Sequence, residues 1–243
     1  MIKLLLTLLA AGKLGKVLLT GGTMLISVFA YSLVFGWWYA VGFVLLIFVH
    51  EMGHFIAARQ KGLDVGAPTF IPFVGAWINL KELPHNAEVE AYIGLAGPVM
   101  GTVGSLVCYF LSRNYDSGLL LALSYAGFFL NLFNLIPLSP FDGGRITAVL
   151  TPRIWLVGAP VLVAIFLWHP NAVLLLMGIL SIPQVLKAWH YDAAAPENQA
   201  YYGVTSEAKL TYGAAYIGLL IFLAIMTHDV HEMLGPRGTG GWS

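Results

Sequence analysis

Apolar residues run through this chain in blocks too long for the core of a soluble domain. Read as membrane spans of roughly 17–25 residues, they predict crossings at about Val17–Phe35, Trp37–Arg59, Glu90–Ser112, Gly118–Leu138, Ile154–Trp168, Ala172–Trp189 and Leu210–Thr227. Only Gly36 separates the first two, which predicts a tight hairpin with Trp37, Trp38 and Tyr39 at a membrane interface. The runs 154–168 and 172–189, parted by His169-Pro170-Asn171, are short for a crossing. The fold class expected is an all-α polytopic membrane protein with six to seven transmembrane helices.

One stretch departs from this pattern. Between residues 62 and 90, Gly62, Gly66, Pro68, Pro72, Gly75 and Pro84 would interrupt any helix, yet Phe70–Leu80 (FIPFVGAWINL) is strongly apolar. Irregular backbone cannot face lipid with its polar groups unpaired. The expectation is therefore a re-entrant, β-like loop packed on the helices. In the third span Gly94, Gly97, Gly101 and Gly104 recur at steps of three and four, a smooth stripe suited to close helix packing rather than chemistry. The domain scheme expected is an interfacial segment at 1–16, a membrane core at 17–190, and a linker, last helix and mobile tail at 191–243.

Composition supports the membrane reading. The 243 residues are 58% hydrophobic and 10% charged, with zero formal net charge, and mean hydropathy is +0.80. A soluble domain carries roughly 25% charged residues. The balanced charge argues against nucleic acid as a partner. Cys108 is the single cysteine, which excludes an intrachain disulfide and a cysteine-based metal site. Met1–Ala11 has a basic start and an apolar run, but no Ala-x-Ala cleavage pattern follows before Lys13 and Lys16. Placing the N-terminus in the cytoplasm puts Lys3, Lys13, Lys16, Arg59, Lys61, Lys81, Arg145, Arg153, Lys187 and Lys209 on that side, against Arg113 and Arg237 opposite. That asymmetry fits the positive-inside rule with seven crossings. The localisation expected is a cell membrane of the bacterial inner-membrane kind, lipid bilayer being the first partner.

The chemistry lies at the end of the second span. The apolar run Trp37–Val49 is followed by His50-Glu51-Met52-Gly53-His54. Helical residues at i and i+4 share one face about 6 Å apart along the axis. Two imidazoles so placed can share a Zn²⁺, with the intervening Glu51 serving as general base. Ionisable groups at membrane depth are costly and by default functional. A catalytic zinc also wants a third protein ligand. After the fourth span comes Asn134-Leu-Ile-Pro137-Leu-Ser-Pro140-Phe-Asp142-Gly143-Gly144, where the prolines must end the helix and the Gly pair permits a sharp turn. Asp142 is the one carboxylate in that part of the chain and completes a set with His50 and His54. Its other reading is an ordinary Asp-Gly turn.

HEMGH in a membrane helix, NLIPLSPFDGG after a later one, and Ala96-Gly97-Pro98 together resemble the site-2 protease family of intramembrane zinc metalloproteases. The likeness covers about residues 37–150. It implies that His50, His54 and Asp142 bind zinc, that Glu51 is the base, and that single-span membrane proteins are cut within their spans. Asn134 matches a family asparagine for which a role in holding substrate or oxyanion is implied. Phe70, Val74 and Trp77 are the expected substrate contacts, on a strand able to pair with an extended substrate. The form expected is a compact one without PDZ or CBS modules. Metalloproteases with a glutamate third ligand fit less well, because the later carboxylates lie in the linker and tail. A catalytically idle scaffold or substrate-binding relative is the alternative, and a transporter is weaker with so few intramembrane acids.

Overall fold

The computed structural model describes residues 2–66, 68–72, 75–77 and 84–235. Helix α1, Ile2–Phe35, is unbroken across the boundary expected at residue 16. Helix α2, Trp37–Gln60, starts immediately after Gly36. Gly36 has φ +85°, a conformation costly for a residue with a Cβ. That single residue turns the chain into the expected hairpin. Tyr31, Phe35, Tyr39 and Phe43 close it with edge-on and stacked ring contacts 5.2–6.5 Å apart.

Strands β1, Thr69–Ile71, and β2, Gly75–Trp77, form an antiparallel hairpin pairing Thr69 with Trp77 and Ile71 with Gly75. Its other side is tied to α1. Thr20 Oγ1 donates to the Pro68 carbonyl at 2.6 Å, and the Phe70 N–H donates to Thr23 Oγ1 at 3.1 Å. The outer edge of β1 is thus satisfied by threonine hydroxyls rather than by lipid, as irregular backbone in a bilayer requires.

Helices α3, Ala87–Tyr115, and α4, Gly118–Asn134, follow, each opened by a side-chain cap, Asn86 to Val89 N and Ser117 to Leu120 N. The fourth span ends four residues earlier than expected. Leu135 and Leu138 are buried but not helical, because Pro137 cannot continue the ladder. Beyond it come α5, Asp142–Thr147, a 3-10 turn at Pro152–Ile154, α6, Trp155–Trp168, α7, Ala172–Trp189, α8, Pro196–Tyr202, and α9, Ser206–Leu234.

Among the described residues five helices are long and apolar enough to cross a membrane: the 18–35 part of α1, α2, α3, α7 and α9. Two of the seven expected crossings, α4 and α6, are apolar but short. At 17 residues α4 reaches about 26 Å. The chain is an all-α polytopic membrane protein, as its pattern predicts. Helix α9 is not an appendage. Leu223 and Val230 are fully buried against Phe128, and the Tyr216 hydroxyl donates to the Leu135 carbonyl at 2.7 Å. It also continues to Leu234, past Thr227 where the last span was expected to end. The linker holds α8, whose Tyr201 hydroxyl donates to Glu90 Oε2 at 2.8 Å.

The C-terminal end of α2 meets the N-terminal half of α3, and a two-residue turn reverses the chain from α3 to α4. These three helices are consecutive antiparallel neighbours. A topology reporter fused after Lys61 is expected to read on the same side as one after Arg153, and opposite to one at Asp116. Identical readings at Lys61 and Asp116 would contradict this packing.

Candidate metal centre

His50 and His54 lie roughly two to three turns from the end of α2, both on the face turned into the bundle and both under 8% exposed. Asp142 is the first residue of α5 and is 7% exposed. One ligand atom from each of these three residues lies within 4.8 Å of the others. His50 Nε2 is 3.1 Å from Asp142 Oδ2, His54 Nε2 is 3.1 Å from Asp142 Oδ1, and the two Nε2 atoms are 3.1 Å apart.

The opposite ring nitrogens are both taken. His54 Nδ1 is 2.7 Å from the Ile93 carbonyl of α3, which can only accept. That fixes the proton on Nδ1 and turns a lone pair inward. His50 Nδ1 is 2.8 Å from Asn131 Oδ1 on α4. With both rings neutral, three lone-pair donors converge on one point, an arrangement a cation resolves. Zinc bonded at about 2.0–2.1 Å sets tetrahedral ligand edges of about 3.3 Å, close to those observed. The donor set fits a zinc ion.

The surrounding helices are shaped around these groups. A Cβ at Gly97 would come 2.2 Å from His54 Nε2, and one at Gly101 would come 2.2 Å from Asn131 Oδ1. The glycine stripe of α3 does serve packing, since Gly104 faces Leu46 and Val49 of α2. Its middle members have a second role that spacing alone did not reveal, as the wall of the metal centre.

Gly143 and Gly144 also differ from expectation. Neither has positive φ, so they do not make a sharp turn. They are helical residues on which the 135–139 backbone lies directly, a Cβ at Gly143 meeting the Leu135 and Ile136 carbonyls at 2.2 and 2.4 Å. That irregular stretch is pinned at two carbonyls, and the helix beneath it at a third. Tyr216 holds the Leu135 carbonyl, the Ser181 hydroxyl holds the Ser139 carbonyl, and Trp155 Nε1 donates to the Gly144 carbonyl at 2.8 Å. Arg145 Nη1 stands 3.9 Å from Asp142 Oδ1, a loose ion pair behind the carboxylate.

Glu51 is 8% exposed, and its carboxylate has no hydrogen-bond partner among the described residues. Of the expected substrate contacts, Phe70 and Asn134 have described side chains. The Phe70 side chain is buried in a core with Val28, Tyr31, Val44 and Ile47, so it packs the hairpin down instead of presenting a surface. Trp77 lies on β2 opposite Thr69, and Val74 falls outside the described residues. Asn134 ends α4, half-buried, with its amide donating to the Leu130 carbonyl at 3.0 Å. Asn131, with Oδ1 against His50 Nδ1, is the neighbour of this cluster that sequence reasoning missed. Its signal was a second asparagine one helical turn before Asn134, in an otherwise apolar helix.

A buried His–His–carboxylate cluster inside apolar helices defines a membrane metalloprotein of the HExxH type. Residues 38–118 match the sequence model of Peptidase family M50, a span that includes His50, Glu51 and His54 but stops short of Asp142. A curated zinc metalloprotease of Methanocaldococcus jannaschii is 31% identical over 157 residues, covering 61% of this chain and 45% of that protein. A probable chloroplastic zinc metalloprotease of Oryza sativa subsp. indica is 25% identical over 152 residues, 44% of this chain and 28% of its own. One from Arabidopsis thaliana is 32% identical over 87 residues, 32% of this chain and 16% of its own. The chain spans less than half the length of these relatives.

Gly97→Ala alters no ligand yet drives a methyl group into His54. It is expected to lower metal content as severely as His54→Ala, measured by elemental analysis of purified protein. Wild-type metal content in Gly97→Ala would show that the α2–α3 contact yields and does not define the site.

Proposed function

We propose that this chain is an intramembrane zinc metalloprotease, hydrolysing peptide bonds within or near the transmembrane segments of single-span membrane proteins. One observation carries the reading: the convergence of His50 Nε2, His54 Nε2 and Asp142 at 3.1 Å separations, with the buried Glu51 carboxylate beside them and without a hydrogen-bond partner among the described residues. Zinc held by those three residues would supply Lewis acidity toward water and the scissile carbonyl. Glu51 takes the proton of the attacking water, whose oxygen bonds to the carbonyl carbon. When the C–N bond breaks, Glu51 returns that proton to the departing amine. Asn134, with a second amide hydrogen beyond the one given to Leu130, is our candidate for steadying the substrate backbone or the developing oxyanion.

A peptide bond in a helix is unavailable until its carbonyl loses the N–H four residues on. In lipid that release costs several kcal/mol for each unpaired group. The β hairpin is our candidate for supplying replacement partners. Since Thr20 and Thr23 engage β1, substrate pairing is assigned to the β2 side. Substrates with Gly, Pro or Asn near the cut unwind more cheaply. The distribution of Lys and Arg supports a cytoplasmic N-terminus, a metal centre in the cytoplasmic half, and a membrane of the bacterial inner-membrane kind.

Glu51→Gln is expected to keep its zinc while cleavage of a model membrane substrate falls by about 10²–10⁴-fold. Zinc loss, or wild-type cleavage, in this variant would remove Glu51 from the role of base. Zinc uptake by the wild type without cleavage of any membrane substrate would instead leave a metal-holding scaffold. A substrate span rebuilt as poly-Leu is expected to resist cleavage; cutting at the native rate would mean that unwinding is not limiting.

A further inference from the structure

The two imidazoles are held by different kinds of acceptor. His54 leans on a backbone carbonyl that α3 supplies whatever its side chains are. His50 leans on one side chain, Asn131, whose amide could in principle point either way. The geometry fixes which way. Asn131 Nδ2 lies 2.7 Å from the Gly127 carbonyl one turn earlier in α4, and a carbonyl can only accept. The amide nitrogen must therefore face Gly127, which leaves Oδ1 facing His50 Nδ1 at 2.8 Å. An acceptor there puts the ring proton on Nδ1 and the lone pair on Nε2, 3.1 Å from Asp142. Asn131 is 1% exposed, so bulk water does not reach it.

We propose that Asn131 is a positioning residue, setting the tautomer and ring orientation of His50 and thereby the affinity of the centre for its metal. The inference rests on the metal-site reading above and deepens it. It also assigns a job to Gly101, the position whose missing side chain leaves room for the Asn131 amide oxygen. Through Asn131, α4 contributes to metal binding without supplying a ligand.

The test is zinc affinity in the purified full chain, titrated in detergent against a competing chelator, with no need for a substrate. Asn131→Leu keeps the branched shape but removes the acceptor, and zinc affinity is expected to fall about 10–100-fold. Asn131→Asp keeps an acceptor facing His50 and is expected to bind within about threefold of wild type. Gly101→Ala, which crowds the amide without changing it, is expected to weaken binding as Asn131→Leu does. Wild-type affinity in Asn131→Leu would overturn the proposal. So would Asn131→Asp binding as weakly as Asn131→Leu, since packing or the Gly127 bond would then be what matters. A wild-type chain that takes up no zinc would overturn the metal-site reading itself, and this inference with it.

Discussion

Polar groups at membrane depth are costly unless the protein itself partners them, because lipid offers no partners. In this chain that constraint governs much of the described bundle. The two histidines give their Nδ1 protons to α3 and α4, which leaves their Nε2 atoms and the Asp142 carboxylate facing one another. Bringing Asp142 there requires a break after α4. The break exposes backbone carbonyls between 135 and 139, where tyrosine and serine side chains from α9 and α7 meet two of them, while Trp155 of α6 donates to the Gly144 carbonyl within α5. Helices distant in sequence from the two histidines thus hold the segment that carries Asp142.

The parts of this arrangement with a local signature could be read from residues alone. The His pair declares itself by i, i+4 spacing on an apolar helix, and the prolines declare the end of α4 by removing donors. The hairpin at Gly36 follows from the near absence of a linker. What could not be read were long-range matches. Asn131 and His50 are 81 residues apart, and nothing local tells a buried helical asparagine that orients a ligand from one that merely satisfies itself. The same holds for α9. Its apolar pattern predicts a span, but only Leu223, Val230 and Tyr216 seated on α4 and the 135 carbonyl make it part of the site's support.

Glycine was the residue most readily misread. At Gly143 its use as a turn former was expected from the Gly143-Gly144 pair, whereas close backbone approach is what the position demands. At Gly97 and Gly101 helix packing and site construction coincide. The α2–α3 contact lets the Ile93 carbonyl reach His54, so tight packing and imidazole orientation arise from the same small side chains. The metal centre and the helix contacts therefore cannot vary independently. This gives a physical reason for HEMGH and the glycine stripe to sit together in the segment that matches the M50 peptidases.

The central claim is that two imidazoles and one carboxylate share a single zinc, and zinc-edge X-ray absorption on the purified chain addresses it most directly. The account predicts one zinc with two imidazole nitrogens and oxygen ligands at about 2.0–2.2 Å. It also predicts a change in the oxygen shell, or loss of the metal, in Asp142→Ala. A third imidazole, a sulfur ligand, or an unchanged zinc shell in Asp142→Ala would contradict it.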